Sequence, residues 1–237
     1  MLGAVIVVLV VMAGFVVWGY TPPAPMAEAL SALVSDSKVN VTLGNWLVFT
    51  PIGTQPDVGF IIYPGGRVDS RSYSPSAHET ASRGYLVVIV PMPLNLAVFA
   101  PDSALDVVKS FPAIRAWAVG GHSLGGSMAA QFAAGHQDKV QGLVLWASYP
   151  PSGNDLSKSK IKVVSIHGTL DGLVLQKDMD SSRSLLPPNA IFVSIPGGNH
   201  AQFGWYGPQS GDNAATISRE EQQNITVAAT IALLDEI

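Results

Sequence analysis

The chain has 237 residues, 48% of them hydrophobic and 13% charged, with a formal net charge of −4. That balance supplies enough apolar material for one large core, and it excludes the basic footprint of a nucleic-acid-binding protein. No cysteine is present, which excludes disulfides, thiolate nucleophiles and thiolate-held metals. Residues 2–20 carry no charge and are dominated by Val, Leu, Ile, Ala and Gly. As a helix they rise about 28 Å, close to a bilayer's hydrocarbon thickness. Trp18 and Tyr20 fall at one end, where aromatic side chains meet an interface. The expectation is a transmembrane helix: a membrane anchor over residues 1–20, in contact with a lipid bilayer through residues 2–20, holding the rest outside the cytoplasm. A cleaved signal segment, releasing a secreted domain, is the alternative, although no Lys or Arg precedes the apolar run.

Residues 21–38 read as a linker and lead-in, stiffened by Thr21-Pro22-Pro23-Ala24-Pro25. From residue 39 to 237 one α/β domain is expected. Val39 to Leu43 and Trp46 to Phe49 read as a hairpin around Gly44-Asn45. Val58 to Tyr63 is a continuous apolar run, as in a strand buried on both faces. Leu86 to Val90, Trp117 to Val119, Leu143 to Ala147, Val163 to Ile166 and Ile191 to Ile195 share that character. Helical patterns lie between them, at Ser76 to Arg83, Ser103 to Phe111, Leu124 to Gly135, Leu173 to Leu186 and Ser218 to Leu234. Ser218 and Glu221 have the spacing of a capping box. Alternating strands and helices predict a mostly parallel sheet flanked by helices, with its site at the carboxyl ends of the strands.

Gly121-His122-Ser123-Leu124-Gly125 falls between a predicted strand and a predicted helix. A serine between glycines is also an ordinary turn, but strand, Gly-x-Ser-x-Gly and helix in succession is the context of a nucleophile elbow. There the hydroxyl of Ser123 stands at a helix N-terminus, where free N–H groups favour negative charge. A serine hydroxyl needs a base, and the base needs a group to orient it. Of five histidines, His200 lies on the Gly-rich loop after the strand at Ile191 and is the candidate base. His167 reads as a strand-end residue, and His78 and His136 as solvated helix residues. His122 must point away from the serine side chain. Asp171, in a turn just past the strand at Val163, is the candidate orienting carboxylate, ahead of Asp178 and Asp180 on the next helix. Leu124 is expected to give one oxyanion N–H, and Gly66 the other, with Arg67 as alternative; both lie in Pro64-Gly65-Gly66-Arg67-Val68.

Gly121 to Gly126, Asp171 and His200 make the chain resemble the α/β-hydrolase superfamily, from about Val39 to the C-terminus. Tyr63 to Asp69, Pro91 to Ala97 and Gly197 to Gly204 look like its fold-5 subgroup, related to dienelactone hydrolases. The resemblance implies Ser123, Asp171 and His200 as a triad and carboxylic ester hydrolysis as the activity, with no cofactor. Dienelactone hydrolases proper use a cysteine nucleophile, and this chain has none. About 15 residues join the strands at Leu143 and Val163, too few for a helical cap, so a capless, open site is expected. Met92, Leu94, Tyr149, Phe203, Trp205 and Tyr206 are candidate pocket residues. No metal motif or phosphate-binding loop is present. The expected partner is a small ester with a short acyl group. A non-catalytic binding module, or a thioesterase, amidase or perhydrolase with the same triad, are the alternatives.

Overall fold

The structure, a computed structural model, describes residues 2–237, in which eight strands form a single sheet. β1 (Val39–Leu43) and β2 (Leu47–Pro51) form the expected hairpin, and β2 also pairs antiparallel with β4 (Leu86–Ile89). β3 (Val58–Tyr63), β5 (Ala116–His122), β6 (Gly142–Trp146), β7 (Lys162–Gly168) and β8 (Ile191–Ile195) run parallel to β4. The order is β1-β2-β4-β3-β5-β6-β7-β8. Seven α-helices are described: α1 (Leu2–Tyr20), α2 (Ala27–Ser31), α3 (Ser74–Ser82), α4 (Ala104–Ser110), α5 (Leu124–Gly135), α6 (Gln176–Ser182) and α7 (Arg219–Leu234). Ser218 caps α7 by accepting the N–H of Glu221 at 3.0 Å. The helix expected over Leu173 to Leu186 is shorter, and a 3-10 turn at Arg183–Leu185 ends it.

The run Phe60-Ile61-Ile62-Tyr63 shows how the sheet fills both faces. Ile61 and Tyr63 point to the side where Ala129, Phe132 and Ala133 of α5 pack. Phe60 and Ile62 point to the other, against Ala77 and Ala81 of α3, while Leu233 and Leu234 of α7 close the same layer. Each large apolar side chain so buried contributes about 1.5–3 kcal/mol. Continuous apolar strands are thus the signature of a sheet with two helical layers.

The N-terminal expectation needs correcting. No helix among the described residues is long and apolar enough to cross a membrane. Met1, the first residue of the expected anchor, lies outside the described residues. The physical reason is length: the far end of α1 is tied to the domain by a few contacts, although its side chains from Ala4 to Trp18 stay exposed. Phe15 meets Phe99 edge-on at 6.4 Å, the Gly19 carbonyl accepts from Asn95 Nδ2 at 2.9 Å, and the Trp18 carbonyl accepts from Arg67 Nε at 3.1 Å. Ahead of those contacts Leu2 to Gly14 rises only ~20 Å, against a hydrocarbon core of ~30 Å. The anchored, extracytoplasmic localisation rested on that segment and is withdrawn with it.

Candidate active site

β5 ends at His122, and α5 begins at Leu124, so Ser123 alone makes the turn. Its backbone is left-handed, φ 52° and ψ −124°, a strained conformation for a residue with a side chain. Glycines make the turn possible. A Cβ on Gly121 would stand 2.2 Å from the Tyr63 carbonyl oxygen, and one on Gly125 equally close to it and 2.3 Å from that of Pro64. The turn is tied down by the Ser123 N–H donating to the Trp146 carbonyl at 2.9 Å, and by Ser148 Oγ donating to the Ser123 carbonyl at 2.7 Å. Ser123 is half-exposed, and its side chain does not cap its own helix. The hydroxyl therefore stands uncommitted at the N-terminus of a 12-residue helix.

His200 follows β8 on a loop and is fully buried. Its Nδ1 lies 2.8 Å from Asp171 Oδ2, with both side chains 1% exposed. Asp171 Oδ1 accepts the N–H groups of Leu173 and Val174 at 2.8 and 2.7 Å, which fixes the carboxylate in the turn after β7. A carboxylate held this way keeps the imidazole proton on Nδ1 and leaves Nε2 as the basic nitrogen. His200 Nε2 has no hydrogen-bond partner among the described residues. The rivals lie elsewhere: Asp178 Oδ2 caps α6 through the Leu175 N–H, and Asp180 pairs with Arg183.

Residues that the sequence did not single out hold these two loops. Asp212 Oδ1 accepts the N–H groups of Gly172 at 3.0 Å and His200 at 3.3 Å, while Oδ2 accepts that of Ala201 at 2.8 Å. One carboxylate thus clamps the Asp171 turn to the His200 turn. Gln222, buried on α7, accepts the Asn199 N–H at 2.9 Å and donates to its carbonyl at 2.7 Å. Nothing in their neighbouring residues signals these roles, because Asp212 and Gln222 reach backbone groups 11 and 23 positions away.

The oxyanion candidates differ in availability. The Arg67 N–H donates to the Asn95 carbonyl at 2.8 Å and is committed. The Gly65 N–H donates to Tyr73 Oη at 3.0 Å. Gly66, between them, faces Leu124: a Cβ on it would lie 3.1 Å from Leu124 Cδ2. Leu124 is the first residue of α5, where an N–H has no partner within the helix.

His122 points away from Ser123, into the interior. Its Nδ1 is 2.9 Å from Tyr73 Oη, and its ring lies 4.4 Å from that of His200 and 5.7 Å from that of Phe203. With Tyr73 accepting from Gly65, its hydroxyl proton is left for His122 Nδ1. Burial, and then the charge His200 would carry, hold the His122 pKa well below its ordinary 6.5. It is a neutral strut between the Gly65-Gly66 loop and the His200 ring. His167, at the end of β7, bonds Gln176 Oε1 at 2.9 Å; His78 and His136 pair with Asp36 and Asp102 near the surface.

A cavity of about 340 Å³ lies at Gln137 and Lys158 and one of about 630 Å³ at Glu28 and His78, both away from these residues. A third, of about 470 Å³, reaches Gly66 and is walled by Trp18, Pro23, Leu96, Tyr206 and Gln209 among others. Of the six candidate pocket residues, Tyr206 lines it. Met92 and Phe203 are packed in the two cores, and Trp205 is buried, with its carbonyl accepting from Met26. Leu94 turns toward Gly19 of α1, and Tyr149 offers its carbonyl to Ser127 Oγ at 2.8 Å. Aromatic and apolar residues near a motif serve the core as readily as the pocket, and composition does not separate the two. Among the described residues no group of three or more His, Asp or Glu side chains is arranged to hold a metal ion.

The family profile described as "Alpha/beta hydrolase family" matches residues 59–224. No curated protein sequence matches the chain. Among solved structures, Est1E from Butyrivibrio proteoclasticus is similar at 14% identity and a TM-score of 0.57, covering 84% of this chain and 100% of its own. A hydrolase from Thermoplasma acidophilum described as CIB-like is similar at 16% identity and a TM-score of 0.58, covering 81% of this chain and 96% of its own. XC6422 from Xanthomonas campestris, described as an a/b serine hydrolase without lid, matches at 16% identity and a TM-score of 0.56, covering 85% and 97%. These likenesses are of fold. No helix occurs between β6 and β7, which agrees with the description of XC6422 as lacking a lid.

Proposed function

The chain belongs to the alpha/beta hydrolase family, and from that premise we propose that it hydrolyses carboxylic esters with Ser123 as nucleophile, His200 as base and Asp171 as orienting carboxylate. The observation that carries this reading is the buried 2.8 Å pair of Asp171 and His200, which leaves Nε2 unpartnered, in a chain whose elbow serine is strained and uncommitted. As Ser123 Oγ bonds to the ester carbonyl carbon, its proton passes to His200 Nε2. Asp171 stabilises the imidazolium that forms. The carbonyl oxygen takes up negative charge and meets the N–H groups of Leu124 and Gly66, each such donor being worth about 10²–10³-fold in rate. Collapse breaks the bond to the alcohol oxygen, which leaves with the proton from Nε2. Water then attacks the acyl-enzyme, gives a proton to Nε2, and releases the acid and Ser123. No hydrogen bond joins Ser123 Oγ to His200 Nε2 among the described residues, so the reading requires the two groups to close to hydrogen-bond distance for the proton to pass.

Small esters with short acyl groups suit a site without a lid. The test is a panel of p-nitrophenyl esters of rising acyl length. The full chain is expected to hydrolyse the short members, and Ser123→Ala to lower kcat by about 10⁴-fold or more. Full activity in Ser123→Ala removes the proposal, and inactivity of the folded wild type toward every member points to a non-catalytic domain.

A further inference from the structure

We infer that the N-terminal segment from Trp18 to Pro23 builds a substrate subsite, one that takes a compact, ring-bearing limb of the ester. The inference rests on the ester reading for its chemistry and on separate observations for its location. The cavity of about 470 Å³ that reaches Gly66 lies between this segment and the loop carrying Tyr206 and Gln209. Gly66, one of the two proposed oxyanion donors, stands on the cavity wall with the Leu124 side chain packed beside it, while Ser123, Asp171 and His200 do not line the cavity. Its volume is that of a small-molecule pocket, for which about 300–1,000 Å³ is usual.

The segment is fixed in place by side chains of the site's own loops. Arg67 donates from Nε to the Trp18 carbonyl at 3.1 Å and from Nη2 to the Thr21 carbonyl at 3.0 Å, and its guanidinium lies 4.2 Å from the Trp18 ring centroid. Asn95 Nδ2 donates to the Gly19 carbonyl at 2.9 Å. Arg67, Leu94 and Asn95 are all left-handed, with φ of 54°, 54° and 53°. Three such non-glycine residues persist only where surrounding contacts over-determine them. Arg67 and Asn95 are tied to each other through the Arg67 N–H and the Asn95 carbonyl, and all three residues touch this segment. The segment is therefore part of the wall, held by the loop that presents Gly66.

The lining sets the chemistry of the occupant. Tyr206, Pro23 and Pro208 offer flat, rigid surfaces beside a Trp18 ring that Arg67 and Phe15 already pack against, and such surfaces suit a ring better than a flexible chain. No carboxylate lines the cavity, and Arg67 makes no ion pair among the described residues. A limb bearing acceptor oxygens is favoured, and a cationic one is disfavoured.

The experiment measures kcat/KM by acid release in the full chain for ethyl acetate, ethyl phenylacetate and benzyl acetate, which carry no ring, a ring on the acid side and a ring on the alcohol side. At least one ring-bearing ester is expected to exceed ethyl acetate, and Trp18→Ala to lower that ratio about 10-fold. An unchanged ratio overturns the subsite. Acetylcholine, with a cationic limb, is expected to fall below benzyl acetate; equal turnover overturns the charge assignment. Phenylacetate and benzyl alcohol are also titrated against intrinsic fluorescence of the full chain. Saturable quenching that disappears in Trp18→Phe supports the subsite even where no ester is turned over, a result that would sink the ester reading alone. Quenching that is absent from the wild type, or that survives in Trp18→Phe, overturns the subsite.

Discussion

The elbow and the cavity wall are built in opposite ways. At the elbow, constraint is local: Gly121, Ser123 and Gly125 are neighbours in sequence, and each glycine hydrogen stands where a Cβ would strike the Tyr63 carbonyl. At the wall, constraint is remote, with Trp18 held by Arg67 and Gly19 by Asn95, across 49 and 76 positions of chain. The first kind of constraint writes itself into adjacent residue types. The second leaves Trp18 looking like any other aromatic at the end of an apolar run.

That contrast can be broken or sharpened by substitution. The largest effect is expected at the buried pair. Asp171→Asn keeps the shape but removes the charge that orients His200, and should lower kcat by about 10⁴-fold with little change in KM. Steady-state kinetics on a short ester checks it, and a loss under 10-fold would mean that Asp171 does not serve His200. Next is Gly125→Ala, whose added methyl meets two carbonyl oxygens at 2.2 and 2.3 Å. It should destabilise the fold by more than about 3 kcal/mol, the scale of the severe single-site mechanisms, as a shift in urea midpoint would show. If the variant is as stable as wild type, the turn is looser than the geometry says.

A smaller effect is expected at Tyr73→Phe, which leaves the Gly65 N–H without its acceptor and His122 Nδ1 without its donor. An unsatisfied buried group costs about 1–3 kcal/mol. Because the loss falls beside Gly66, kcat should drop about 10-fold while KM holds, a split that a purely structural residue would not give. Smallest is the pH dependence at His122, whose pKa burial holds well below 6.5. The unfolded chain takes up this proton before the folded one does. Its contribution is therefore complete above about pH 7.5 and is lost as pH falls below about 6.5, by at most about 1.4 kcal/mol per pH unit. Urea midpoints at pH 8 and pH 5 should differ less in His122→Phe than in wild type; equal differences would place the titration on another group.

The sheet and the elbow were legible because apolar runs, glycines and a serine carry their meaning in a short window. Asp171 and His200 were legible through their place after β7 and β8. Asp212, Gln222 and Tyr73 were not, because each works by reaching a backbone group brought near only by the fold. Met92, Phe203 and Trp205 looked like pocket residues and lie in the interior, since burial in a core and exposure to a cavity ask for the same side chains. Residues 2–20 failed for a related reason: apolarity does not say whether a helix meets lipid or, through Phe15, Trp18 and Gly19, its own domain.

The central claim is that Ser123 is made nucleophilic by a buried imidazole whose other nitrogen is held by Asp171. The most direct measurement is labelling of the folded full chain with a fluorophosphonate, located by peptide mass spectrometry. The account predicts one adduct, on Ser123, formed far more slowly in His200→Ala. Labelling of a different residue, or of Ser123 at the same rate without His200, would contradict it.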